Sequence, residues 1–144
     1  MKKVYWLSAL GLLSVTFGAM GFVLFIQTHY FPLLQVRFTD QTVLTFVDNP
    51  WTSLAKCQSS HQKIRDQLSK TCPDCQIRID RCDTQLAEPW MGILQGRETT
   101  HAVVHSGSLH MVVEAPNNHA KTTCEAMATQ IRQTQQNGAH CTSP

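Results

Sequence analysis

Six cysteines and seven histidines hold most of the chemistry this chain could perform. The cysteines are Cys57, Cys72, Cys75, Cys82, Cys124 and Cys141, an even set that in an oxidising compartment reads as a disulfide framework. Spacing alone does not choose the pairing. Cys57 and Cys124 fall on the inward faces of two predicted helices, so each is expected to bridge toward the core, and Cys141 is placed to tie down the C-terminus. Bridges of this kind restrict the unfolded chain and contribute about 2–4 kcal/mol each.

Two of the cysteines stand together as Cys72-Pro73-Asp74-Cys75. Over these four residues the chain resembles the active site of glutaredoxin-like oxidoreductases. The resemblance implies thiol–disulfide exchange, with Cys72 and Cys75 as the redox pair. In that family the first cysteine follows a strand and opens a helix, whose positive end lowers its pKa. Here a predicted helix precedes the motif and a predicted strand follows. A thiolate would face the negative end of the helix dipole. Structural disulfides are therefore the primary expectation. A zinc site from Cys72, Cys75 and Cys82 with a fourth ligand is the third reading, and it requires a reducing compartment.

The histidines suggest a different site. Thr100–His105 and Ser108–Glu114 read as a β-hairpin turning at Ser106-Gly107, with Ala102, Val104, Leu109, Met111 and Val113 on one apolar face. His101, His105 and His110 then share the opposite face, with Val103 across from His110. Three imidazoles so placed are candidate ligands for Zn²⁺ or Cu²⁺. A polar solvent face explains the same alternation, and the expectation is that no metal or other cofactor is held. His61 falls on the apolar side of a helix, where a satisfied, partly buried histidine is expected. No nucleophile elbow, phosphate-binding glycine loop or paired-carboxylate site is present in the sequence. Trp90, Met91, Ile93 and Leu94 lie in an apolar stretch that serves either as a lid on the core or as a partner-docking patch.

These residues need elements to position them. Leu34-Val36-Phe38 alternates with polar residues, and Thr42–Val47 is a second β-rich run. Asn49-Pro50 reads as a helix start. Leu54, Cys57, His61, Ile64 and Leu68 form one face of an amphipathic helix ending near Lys70. Gln76–Cys82 alternates as a strand with Ile77 and Ile79 on one face. A last helix runs from about Asn118 to Gln136 and stops at Asn137-Gly138. The expected fold class is α+β: an antiparallel sheet of at least three strands with two main helices on one face. No internal repeat is visible in the sequence.

The N-terminus has a separate character. No charged residue interrupts Val4 to Ile26, a helix of roughly 35 Å, long enough to cross a bilayer. Lys2 and Lys3 precede it, so the positive-inside rule places the N-terminus in the cytoplasm and the remainder outside. The run outlasts a signal-peptide apolar core, so an uncleaved anchor is expected over cleavage near Ala19-Met20-Gly21. Gly11, Ser14, Gly18 and Gly21 form a small-residue stripe suited to helix–helix packing in lipid. The expected layout is an anchor over residues 1–30, a membrane-proximal β segment over 31–48 and a cysteine-rich α+β domain over 49–144. The two N-terminal lysines account for the net charge of +2, which leaves the outer domain near neutral and without a nucleic-acid footprint. The sequence points to a non-catalytic, single-pass protein of the cell (inner) membrane. Its periplasmic or extracellular domain would bind a protein partner or a second copy. The alternatives are a membrane-tethered thiol oxidoreductase and a histidine-face metal binder.

Overall fold

A computed structural model describes residues 27–135 and 138–144. The chain forms β1 (Phe31–Arg37), β2 (Val43–Val47), α1 (Leu54–Thr71), β3 (Gln76–Asp83), α2 (Trp90–Leu94), β4 (Ala102–Ser106), β5 (Leu109–Glu114), a 3₁₀ turn (Pro116–Asn118), α3 (Ala120–Gln135) and β6 (His140–Thr142). The strands make one antiparallel sheet in the order β3-β1-β2-β5-β4-β6. The α+β class and the antiparallel sheet match the sequence reading. The 31–48 segment supplies β1 and β2, two inner strands of that sheet.

The topology contains a repeat that the sequence hides. A hairpin (β1, β2), a helix (α1) and a return strand (β3) beside the first strand of the hairpin make one half. β4, β5, α3 and β6 make the other in the same way, and the halves join through the antiparallel β2–β5 pair, with Thr45 opposite Val112. Each half has its own disulfide from the first turns of its helix to its return strand: Cys57–Cys82 and Cys124–Cys141. Cys72–Cys75 is the third bridge.

Strand alternation sorts the core into two layers. On one face, Leu44, Ala102, Val104, Met111 and Val113 pack with Cys124 and Ala128 of α3. Cross-strand pairing continues this face through Phe46 to Leu34, Asp80 and Cys82, where α1 lies. On the other face, Leu33, Val47, Val103 and Val112 are covered by Leu86, Trp90, Met91, Ile93 and Leu94. The apolar Trp90–Leu94 stretch is thus the short helix α2, and it covers the second face of the sheet.

Four local expectations change. Helix α1 starts at Leu54 with Ser53 as its N-cap, not at Asn49-Pro50. The cause is Trp51, which exchanges two backbone hydrogen bonds with Tyr30 (2.7 and 2.8 Å) and so holds this segment extended. Ile77 and Ile79 do not share a face. Ile79 lies opposite Gln35 and Ile77 opposite Val36, so Arg78 is the extra residue of a bulge that turns the alternation over. The β4–β5 hairpin closes with Ser106 opposite Leu109, and its loop is Gly107-Ser108. Gly107 adopts φ +61°, which glycine reaches without a Cβ clash. This shift pairs His105 with His110 instead of Val103 with His110, and it leaves the apolar face as expected. Finally, the short strand β6 has no precedent in the sequence reading.

Among the described residues no helix is long and apolar enough to cross a membrane. The Val4–Ile26 run, with Gly11, Ser14, Gly18 and Gly21, lies outside them, as does Asn137.

Candidate functional site

The richest constellation lies between α1 and β3. Residues four apart share a helix face, so Cys57 and His61 both point inward from α1. Residues two apart share a strand face, so Asp80 and Cys82 point back from β3. The two pairs meet twice. The sulfurs of Cys57 and Cys82 are joined at 2.02 Å, and His61 Nδ1–H donates to Asp80 Oδ1 at 2.8 Å. Arg65, one turn further along α1, donates to the other carboxylate oxygen at 2.6 Å. Asp80 is acceptor-only when ionised, so the neutral His61 ring carries its proton on Nδ1 and its lone pair on Nε2.

That Nε2 is buried and has no hydrogen-bond partner, and His61 as a whole is 3% exposed. The expectation of a satisfied histidine therefore holds for only one ring nitrogen. A ring nitrogen of His61 and both sulfurs lie within 4.8 Å of one another. A metal would need the two cysteines as thiolates, and in this state their sulfurs are bonded to each other.

The second half shows what this position needs for packing alone. Cys124 is followed four residues later by Ala128, and Cys141 is preceded two residues earlier by Ala139. Both alanines are 1% exposed, and Cys124 is fully buried. The equivalent bridge is thus closed over two methyl groups. A buried imidazole with an open lone pair is less favourable than an alanine unless it meets a partner. Nothing in the fold of the other half demands the His–Asp pair.

A second feature borders the same histidine. A groove of about 500 Å³ runs beside α1, floored by Pro32, Leu34, Phe46 and Leu109 and edged by Trp51, Ile64, Lys56 and Lys63. Its floor crosses the β2–β5 seam. Trp51 Nε1 is also buried without a partner. Among the described residues these are the two buried side-chain polar atoms left unpaired, and both side chains line this groove.

The histidines of the hairpin regroup. His105 Nδ1 meets His110 Nδ1 at 2.8 Å, and His105 Nε2 meets Thr142 Oγ1 at 2.8 Å. His140 stacks on His105 with centroids 4.9 Å apart. His101 is elsewhere, 6.2 Å from the Trp90 ring and 3.9 Å from the Glu114 carboxylate. The trio is therefore His105, His110 and His140, and both nitrogens of His105 are engaged, Nδ1 by His110 and Nε2 by Thr142. Burial pushes the His105 pKa down, helped by the neighbouring His110 and His140. Burial also pushes His110 down, with Asp48 opposing and His140 assisting.

Cys72 and Cys75 are bridged at the surface, just beyond α1. The Cys72 N–H donates to Leu68 O, so this bridge sits at the carbonyl end of the helix, the end that disfavours a thiolate. Of the docking candidates, Ile93 is 2% exposed, while Trp90, Met91 and Leu94 are half-buried against the sheet.

Comparison with known protein families, with curated proteins and with solved structures found no match.

Three residues escaped the sequence reading. His140 lies on a strand too short to give an alternation signal. Trp51 was absorbed into a supposed helix start. Asp80 lies on a strand whose alternation does not reveal the helix opposite it. A signal for Asp80 does exist: Cys-x₃-His on a helix matched with Asp-x-Cys on a strand, against Cys-x₃-Ala and Ala-x-Cys in the other half.

Proposed function

We propose that this chain is a non-catalytic, membrane-anchored interaction subunit, whose outer domain receives an apolar segment of a partner protein in the groove beside α1. The observation that carries this reading is that the two unpaired buried polar atoms, Trp51 Nε1 and His61 Nε2, belong to side chains lining one open apolar groove. A docked segment would cover the exposed part of the floor, and a backbone carbonyl in it would satisfy the Trp51 donor. Lys56 and Lys63 at the edge favour acidic residues flanking that segment. The uncharged Val4–Ile26 run, with lysines before it, supports the anchor and an extracytoplasmic domain. The disulfides suit that side of the membrane.

The test is photo-crosslinking in native membranes from the full chain carrying a crosslinking residue at Leu109. A discrete adduct with one protein is expected, weakened when Lys56→Glu and Lys63→Glu are combined. Recovery of uncrosslinked monomer alone overturns the reading.

A further inference from the structure

We propose that Cys57–Cys82 is an exchangeable disulfide that reacts with a small cysteine-bearing thiol, and that His61 carries the proton for the Cys57 sulfur. This inference does not depend on the groove having a partner. Three observations support it. Two cysteine sulfurs and an imidazole nitrogen sit within 4.8 Å of one another. The His61 side chain is buried, 4% exposed, and its Nε2 lacks a partner. The matching bridge of the other half is built with Ala128 and Ala139 in place of His61 and Asp80.

The two sulfurs are not equivalent. Cys57 is fully buried, whereas Cys82 is half-buried and lines a cleft of about 240 Å³ with Gln58, Arg65, Asp80 and Arg81. An incoming thiolate therefore attacks the Cys82 sulfur, the one of the pair that lines an open cleft. A bond forms between the thiol sulfur and Cys82 Sγ, the Cys57–Cys82 bond breaks, and its electron pair goes to Cys57 Sγ. A buried thiolate is unfavourable, so protonated His61 passes its Nε2 proton to Cys57, while Asp80 keeps the Nδ1 proton in place. The products are a mixed disulfide on Cys82, a Cys57 thiol and a neutral imidazole. The proton lost by the incoming thiol goes to solvent, and solvent supplies the one on His61. In reverse, Cys57 gives its proton to Nε2, attacks Cys82 Sγ and expels the thiolate.

The second half supplies an internal control. The oxidised full chain is mixed with reduced glutathione, quenched with acid at intervals, alkylated and mapped by mass for all three bridges. Cys57–Cys82 is expected to open faster than Cys124–Cys141, with the glutathione adduct on Cys82. His61→Ala and His61→Gln are each expected to slow that opening by about tenfold or more, below the usual range for positioned acid–base groups because a thiolate already leaves readily. The Cys124–Cys141 rate should not change. The ratio of wild-type to His61→Gln rates should also change with pH. Asp80, Arg65 and Arg81 also face the cleft, and Asp48, Lys56 and Lys63 the groove, and all six residues are retained in His61→Gln. If His61→Ala fails to fold, His61→Gln alone decides. Equal opening rates for wild type and His61→Gln at every pH, or an adduct on Cys57, overturn the proposal.

Discussion

At the scale of single residues, the paired histidines on β4 and β5 make stability depend on pH with a definite sign. In the unfolded chain these rings titrate near the ordinary value of 6.5, and in the folded chain burial holds His105 and His110 below it. Protons therefore bind the unfolded state first as pH falls. Stability is intact above about 6.5 and declines below it. The melting temperature should drop between neutral and mildly acidic pH, and His110→Gln should make that slope shallower. A variant with the wild-type slope would show that the pair is not responsible. This cluster was only half legible in the sequence. Alternation put His105 and His110 on one face, but their contact depends on where the hairpin turns, and His140 arrives through β6. Likewise, helical spacing showed that His61 points inward, but it could not show that Asp80 waits opposite, because β3 is partly covered on both faces and alternation with Ile79 put Asp80 on the solvent side.

At the scale of elements, α2 shows how a short helix earns its place. It spans five residues, too few for stability from its own hydrogen bonds, so its contacts with the sheet hold it. Ile93 sits on Val103 and Val112, both fully buried. Ile93→Ala should destabilise the domain by about 2–4 kcal/mol in denaturant titration, whereas Leu54→Ala, at an exposed position on α1, should cost about 0.5 kcal/mol or less. Equal losses would mean that α2 is not part of the core. The bridges are ranked by the loop each closes. Cys57–Cys82 and Cys124–Cys141 enclose separations of 25 and 17 residues and should each contribute about 3 kcal/mol. Cys72–Cys75, with a separation of 3, should contribute roughly half that. Paired Cys→Ser variants followed by thermal melting check the order. The sequence marked most of these elements because their periodicity is strong. It misplaced the start of α1 because Asn49-Pro50 suits a helix start, and only the bridge to the distant Tyr30 shows that Trp51 stays extended.

At the scale of the whole molecule, the two halves share one sheet and meet at its centre. β2 and β5 have strands on both sides, whereas β3 and β6 are the edges. Backbone amides of β2 and β5 should therefore exchange hydrogen most slowly, and those of β3 and β6 fastest among the strands. Uniform protection across the six would argue against a central seam as the last region to open. The repeat was invisible in the sequence because its halves share an order of elements and the placement of one disulfide each, but few residues. His61 and Asp80 in one half answer to alanines in the other, and a search for similar letters does not register that correspondence.

The anchoring proposed for this chain gives the Tyr30–Trp51 bridge a further consequence. Only residues 27–29 separate the uncharged run from this bridge, a leash of about 10 Å when extended. Pro32 and Trp51, at one end of the groove, follow almost at once. The domain would then ride close against the lipid surface instead of swinging on a stalk. Its partner would have to present a segment at that height, so the bilayer would act as a ruler for what the groove can reach.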